Sequence, residues 1–273
     1  MGTLACGARS SLPVGERADD EPEVRLEAEP ACVRRDGGRL TAYLEIVLDG
    51  SDSMNADNKW SAAVDALDQF FLRVRNEADP QLAVGLLVFE DARATLCTQA
   101  GCSLPGANDV FPEFVSLNHY DDLVNRIHGT HPAGSTPTAE ALEASYRVLE
   151  VRDPPYPVPA GGRRFAMLIS DGAPTTDSNR ALDVARAKAS DAPGIRTFSV
   201  GIGSYPADLG YDPHFMGELA IAGGTRASID CETSNQSTSP CHFEVNPKGT
   251  REQLTKDFLT VFDRIRALAG ECE

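Results

Sequence analysis

Four apolar runs of strand length, at 43–48, 81–89, 165–170 and 195–202, alternate with stretches whose apolar residues recur at helical spacing. That alternation constrains the fold more than any other feature of the chain. The run 43–48 is apolar but for Glu45, with Leu44, Ile46 and Leu48 on one side and Tyr43 and Val47 on the other, so a strand made from it must be covered on both sides. Residues 55–75 supply one cover, with Trp60, Ala63, Val64, Leu67, Phe70, Phe71 and Val74 on one helical face. Residues 138–151 repeat the pattern through Ala141, Leu142, Tyr146 and Leu149 before the proline-rich "DPPYPVPAGG" stops the helix. Further helices are expected at 121–127, 179–190, 213–222 and 251–268, an antiparallel return within 93–117, and a last strand near 226–229. The expected fold class is α/β: a doubly wound, mostly parallel sheet of about six strands, one of them an antiparallel edge strand, with helices on both faces.

The texture of the 273-residue chain changes at residue 40. Before it, Pro13, Pro22 and Pro30 are mixed with Asp19, Asp20, Glu21 and Glu23 and no apolar period is sustained, so 1–39 is expected to be a flexible tether and 40–273 one domain. A net charge of -16 repels nucleic acid and anionic membrane. No apolar run approaches the roughly 18 residues of a membrane span. The seven cysteines include no CxxC pair, and the histidines are not spaced to complete a zinc site. Cys97 and Cys102 flank a glycine-containing turn, Cys231 and Cys241 bracket "ETSNQSTSP", and Cys32 and Cys272 lie near opposite ends; disulfides in an oxidising compartment are the better reading. Cys6 is left over. Thr3, Leu4, Ala5 and Cys6, followed by Gly7, resemble the lipobox of bacterial lipoproteins, in which the cysteine is lipidated. No basic and apolar signal segment precedes it, so the expectation is a signal trimmed away or lost to a misplaced start.

Ligands of doubly wound sheets sit outside the carboxyl ends of the strands, where the strand order reverses. Three segments bring oxygens to such ends: "DGSDSM" with Asp49, Ser51 and Ser53, "GSTPTAEAL" with Thr136, and "ISDGAPT" with Asp171. The first of them, taken alone, reads equally as a solvated, capped turn, since Asp and Ser bond local backbone. Together they resemble the metal-ion-dependent adhesion site of von Willebrand factor A domains, whose DxSxS motif, loop threonine and DG aspartate match these five positions in order. The resemblance covers roughly 40–270, and "ELAIAGGT" is similar to the family's lead-in to its last strand. One departure is Asp52, where the family often has glycine. Thr138 rivals Thr136, which is preferred because it follows the small pair Gly134 and Ser135.

The resemblance implies a divalent cation, magnesium before manganese or calcium, held by Asp49, Ser51, Ser53, Thr136 and Asp171 and completed by an acidic group of a partner protein or other ligand. Neutral hydroxyls beside two carboxylates leave such an ion electrophilic. It also implies termini that lie close together, hence a bridge from Cys32 to Cys272. A monomer is expected, touching a membrane only through the lipid anchor that the lipobox-like start suggests. No GxSxG elbow, Walker loop or HExxH occurs, and Gly201 and Gly203 lack the third glycine of a dinucleotide fingerprint. His119, His128 and His131 near Thr136 read as loop histidines with local hydrogen bonds. The expectation is a secreted or envelope-tethered bacterial binding module and not an enzyme. The alternatives are an accessory subunit of a metal-dependent ATPase or chelatase-type complex, and a metal-assisted hydrolase.

Overall fold

In a computed structural model of the chain, the described residues are 41–77, 82–89, 97–98, 101–102, 110–150, 162–172, 174–175, 177–192, 194–203, 211–235 and 237–270. The expected tether, Cys6 and the expected Cys32–Cys272 bridge lie outside them. Six strands make one sheet: β1 (Ala42–Asp49), β2 (Leu82–Phe89), β5 (Val110–Phe114), β6 (Arg163–Ser170), β7 (Ile195–Ile202) and β8 (Phe243–Val245), in the order β5-β2-β1-β6-β7-β8. All neighbours are parallel except the antiparallel edge pair of β2 with β5. A separate two-stranded ribbon, β3 (Cys97–Thr98) and β4 (Gly101–Cys102), sets the backbone of Cys97 opposite that of Cys102.

The two-sided burial expected of the central strands follows from their period of two. Leu44, Ile46 and Leu48 of β1, with Phe165, Met167 and Ile169 of β6, face one apolar cluster. Tyr43, Val47, Ala166 and Leu168 face the other. The first cluster is closed by α1 (Lys59–Asn76), α2 (Leu117–His128) and α6 (Arg251–Gly270), the second by α3 (Thr138–Glu150), α4 (Ser178–Ser190) and α5 (Pro213–Ala222). Along the seam of α1 with α6, Phe70 meets Phe262 with ring centroids 5.3 Å apart.

Three expectations are corrected. The helix read from 55 is a 3-10 segment, Asp52–Asn58, followed by α1, because Asp57 and Asn58 have φ of 52° and 60° and interrupt the helical path. The helix read at 121–127 begins at Leu117: the Ser116 hydroxyl caps it by accepting from the His119 amide at 3.2 Å. Its first turn exposes Leu117, so apolar periodicity could not reveal it. The last strand is not at 226–229 but is β8, paired with β7 from Val200↔Phe243 to Ile202↔Val245. Ile229 is exposed, whereas Phe243 and Val245 are buried around an outward Glu244, as a half-buried strand requires. The segment between α5 and β8 is an excursion closed by the Cys231–Cys241 disulfide, as expected for that pair.

Candidate functional site

The strand order reverses between β1 and β6, and the expected oxygens gather at the carboxyl ends of these two strands. Asp49 ends β1 fully buried, and Ser170 ends β6 and donates to Asp49 Oδ2 at 2.5 Å. The chain then turns: Gly50 donates its amide to the Phe89 carbonyl at 2.8 Å, and the Ser51 amide returns to Asp49 Oδ1 at 2.9 Å. Ser51 Oγ lies 3.0 Å from Ser53 Oγ, and Ser53 Oγ donates to Asp171 Oδ1 at 2.7 Å. A continuous line of hydrogen bonds thus joins four of the five residues. Asp49, Ser51 and Asp171 are buried; Ser53 is exposed, so the line opens to solvent at that end.

Thr136 is brought to the same edge by backbone. The loop before it bonds the turn after β1 through Ala133 N to Gly50 O at 2.8 Å and Asp52 N to Gly134 O at 3.1 Å. Asn55 Nδ2 adds a bond to the Pro132 carbonyl at 3.0 Å. Gly134 adopts a φ of 82°, which a side chain would strain. Thr136 itself is clamped to the segment after β6, its amide on Thr175 Oγ1 at 2.9 Å and its carbonyl accepting from Thr175 N at 3.0 Å. The rival Thr138 turns its hydroxyl back to the Thr136 carbonyl at 3.4 Å, a local bond at the start of α3. Asp52 is exposed and does not crowd the turn.

Burial pushes the Asp49 carboxyl up to about 6; the hydrogen bonds from Ser170 and Ser51 hold it down and the charge of Asp171 adds to the rise. Two carboxylates are therefore held close together away from water, a placement that a cation would relieve. Among the described residues no three His, Cys, Asp or Glu side chains gather, so the donor set is two carboxylates with neutral hydroxyls. That set suits a hard oxygen-seeking ion and not zinc. Two of the histidines have partners elsewhere, both in α2: His119 is buried with Nε2 2.7 Å from the Val84 carbonyl, and His128 lies 3.7 Å from Asp68.

Three residues at the site escaped the sequence reading. Ser170 orients Asp49, and Thr175 clamps Thr136. The third is Lys59, whose buried ammonium donates to Asp171 Oδ2 at 2.9 Å. A signal existed for it, because position 59 continues the apolar stripe of Ala63, Ala66, Phe70 and Val74, and a lysine on that stripe has to find a partner.

The sequence profile of the von Willebrand factor type A domain matches residues 44–226. No curated protein sequence matches the chain. Among solved structures it is similar to the SpRpn10 VWA domain, at 14% identity and a TM-score of 0.53, over 81% of this chain and 95% of that one. It is similar to the pilus adhesin SpaC from Lactobacillus rhamnosus GG at 14% identity and 0.55, over 84% of this chain but only 30% of the adhesin. A third likeness is to the vWF domain of the type V pili tip protein Mfa5 from Porphyromonas gingivalis, at 11% and 0.51, over 86% and 98%. At such identities the likeness is one of fold.

Proposed function

The chain belongs to the von Willebrand factor type A domain family, and from that premise we propose that it is a metal-dependent protein-binding module and not an enzyme. Asp49, Ser51, Ser53, Thr136 and Asp171 are the residues that would hold a divalent cation, magnesium before manganese or calcium. The observation that carries the reading is the hydrogen-bonded line from Asp49 through Ser51 and Ser53 to Asp171 at the point where the strand order reverses. When bound, such an ion supplies a Lewis-acidic position for a carboxylate oxygen of the partner. The chain's own groups prepare that position. Ser170 and the Ser51 amide fix both oxygens of Asp49, and Ser53 marks the side from which a partner approaches.

The fold likeness to a pilus adhesin and a pilus tip protein supports a role at a cell surface. The Cys231–Cys241 disulfide supports an oxidising compartment, the envelope or the exterior, with Cys6 as the candidate lipid anchor. It weighs against a cytoplasmic ATPase accessory role. The test is capture of a partner from solubilised envelope fractions on immobilised protein, with magnesium or with EDTA. Capture that needs magnesium and is lost in Asp49→Ala is expected; capture unchanged by EDTA overturns the reading. Metal-dependent turnover of a generic ester or phosphate that vanishes in Asp49→Ala would make the site hydrolytic instead.

A further inference from the structure

Lys59 is the first residue of α1 and points its ammonium into the candidate metal site. Its side chain is 7% exposed and that of Asp171 is 0%. The 2.9 Å bond to Asp171 Oδ2 leaves Oδ1 for Ser53 Oγ, so one carboxylate is shared between an ammonium and the hydroxyl line. Two effects oppose this placement. An ammonium in the first turn of a helix faces the positive end of the helix dipole. Burying an ion pair, moreover, is often no more stabilising than filling the same space with apolar atoms. The chain nevertheless aims a lysine here, through the left-handed pair Asp57 and Asn58 that starts α1 at this residue.

We infer that Lys59 is a resident cation of the site, which weakens divalent-ion binding and makes the loaded site depend on an anion brought by the partner. The inference rests on the metal-binding reading above and deepens it. Two aspartates alone would balance the formal charge of a divalent ion, leaving it a Lewis-acidic position for a partner carboxylate but no net charge to add to that pull. With Lys59 beside them, the empty cluster carries one net negative charge and the loaded cluster one net positive charge. Mutual repulsion of ammonium and divalent ion lowers metal affinity. The same excess positive charge, held away from water where it is weakly screened, favours a carboxylate at the exposed Ser53 side. Lys59 is in this sense a positioning residue, setting the ligand's charge through Asp171 and the ion.

The test is Mn2+ binding, followed by titration calorimetry at pH 8, to wild type and Lys59→Met, each with and without acetate as the carboxylate probe. Removal of the ammonium should tighten Mn2+ binding tenfold or more, about 1.4 kcal/mol. Acetate should tighten Mn2+ binding to wild type and do so less in the variant, since the coupling is reciprocal. Should Lys59→Met fail to fold, Lys59→Gln keeps a donor to Asp171 without the charge and is read in the same way. Equal Mn2+ affinity in wild type and variant, with an equal acetate effect, overturns the inference while leaving the metal-binding reading intact. Binding by the variant alone, with acetate present or absent, overturns the metal-binding reading of the wild type and with it the anion dependence inferred from it. Absence of binding in both overturns the two together.

Discussion

Asp49 and Asp171 derive their properties from neighbours far away in the chain: Ser170, which bonds Asp49, is 121 positions from it, and Lys59, which bonds Asp171, is 112 positions away. A cation that binds the folded arrangement and not the unfolded chain stabilises it by about 2.7 kcal/mol at a hundredfold excess over Kd. Millimolar magnesium or manganese is therefore expected to raise the melting temperature of chelator-stripped protein, and Asp49→Ala or Asp171→Ala to abolish the rise. An unchanged melting curve for wild type would sink the metal-site reading. His242 governs a different property. Burial lowers its pKa to about 4, while Nε2 lies 2.6 Å from the Tyr211 hydroxyl. The Glu244 carboxylate stands 3.9 Å from Nε2, but the ring stays neutral at neutral pH and the pair is not ionic there. An unfolded histidine takes its proton near 6.5, so this contribution is fully present above that pH and is lost as pH falls toward 4. Denaturant titrations should show wild type losing about 2 kcal/mol more than His242→Gln between pH 7 and pH 5. Parallel pH profiles for the two proteins would show that the histidine does not act in this way.

Among the elements, the excursion between α5 and β8 is where the reading from sequence went furthest astray. "ELAIAGGT" forms the end of α5 and its turn, with the Thr225 amide on the Ala220 carbonyl at 2.8 Å, and no strand follows directly. The edge strand β8 pairs over three residues, and the Cys231–Cys241 bridge closes the loop that leads into it. A closed loop of this length stabilises by at most about 3 kcal/mol in the chain-entropy model. The double variant Cys231→Ser, Cys241→Ser is expected to lower stability by up to that amount and leave the Mn2+ response unchanged, because β1 and β6 are untouched. A lost Mn2+ response with intact folding would mean that β8 and its loop help to shape the site. The pairing was legible from two cysteines flanking a polar stretch; the position of the strand was not, since three residues carry too little alternation to stand out from a loop.

For the molecule as a whole, the net charge of -16 opposes the approach of the acidic ligand that the site is proposed to take. Attraction at the metal is short-ranged, whereas the repulsion reaches about a Debye length, roughly 10 Å at 0.1 M salt. Association with a short acidic peptide in the presence of magnesium should therefore speed up as salt is raised from 0.01 to about 0.15 M. A rate that falls steeply over this range would point to a partner surface other than an acidic one. The helix–strand alternation, the two-sided cores and the five candidate ligands were all determined by the sequence, because period and residue type act locally and the strand ends of a parallel sheet are where polar residues can collect. Asp49, Ser51 and Ser53 could be singled out from six consecutive letters. Only the tertiary structure decided that Ser170 would grip Asp49, that Thr175 would clamp Thr136 and that Lys59 would enter the site. Each of those contacts joins segments that meet only once the sheet order β2-β1-β6 is formed, and that order is set by packing across the whole chain.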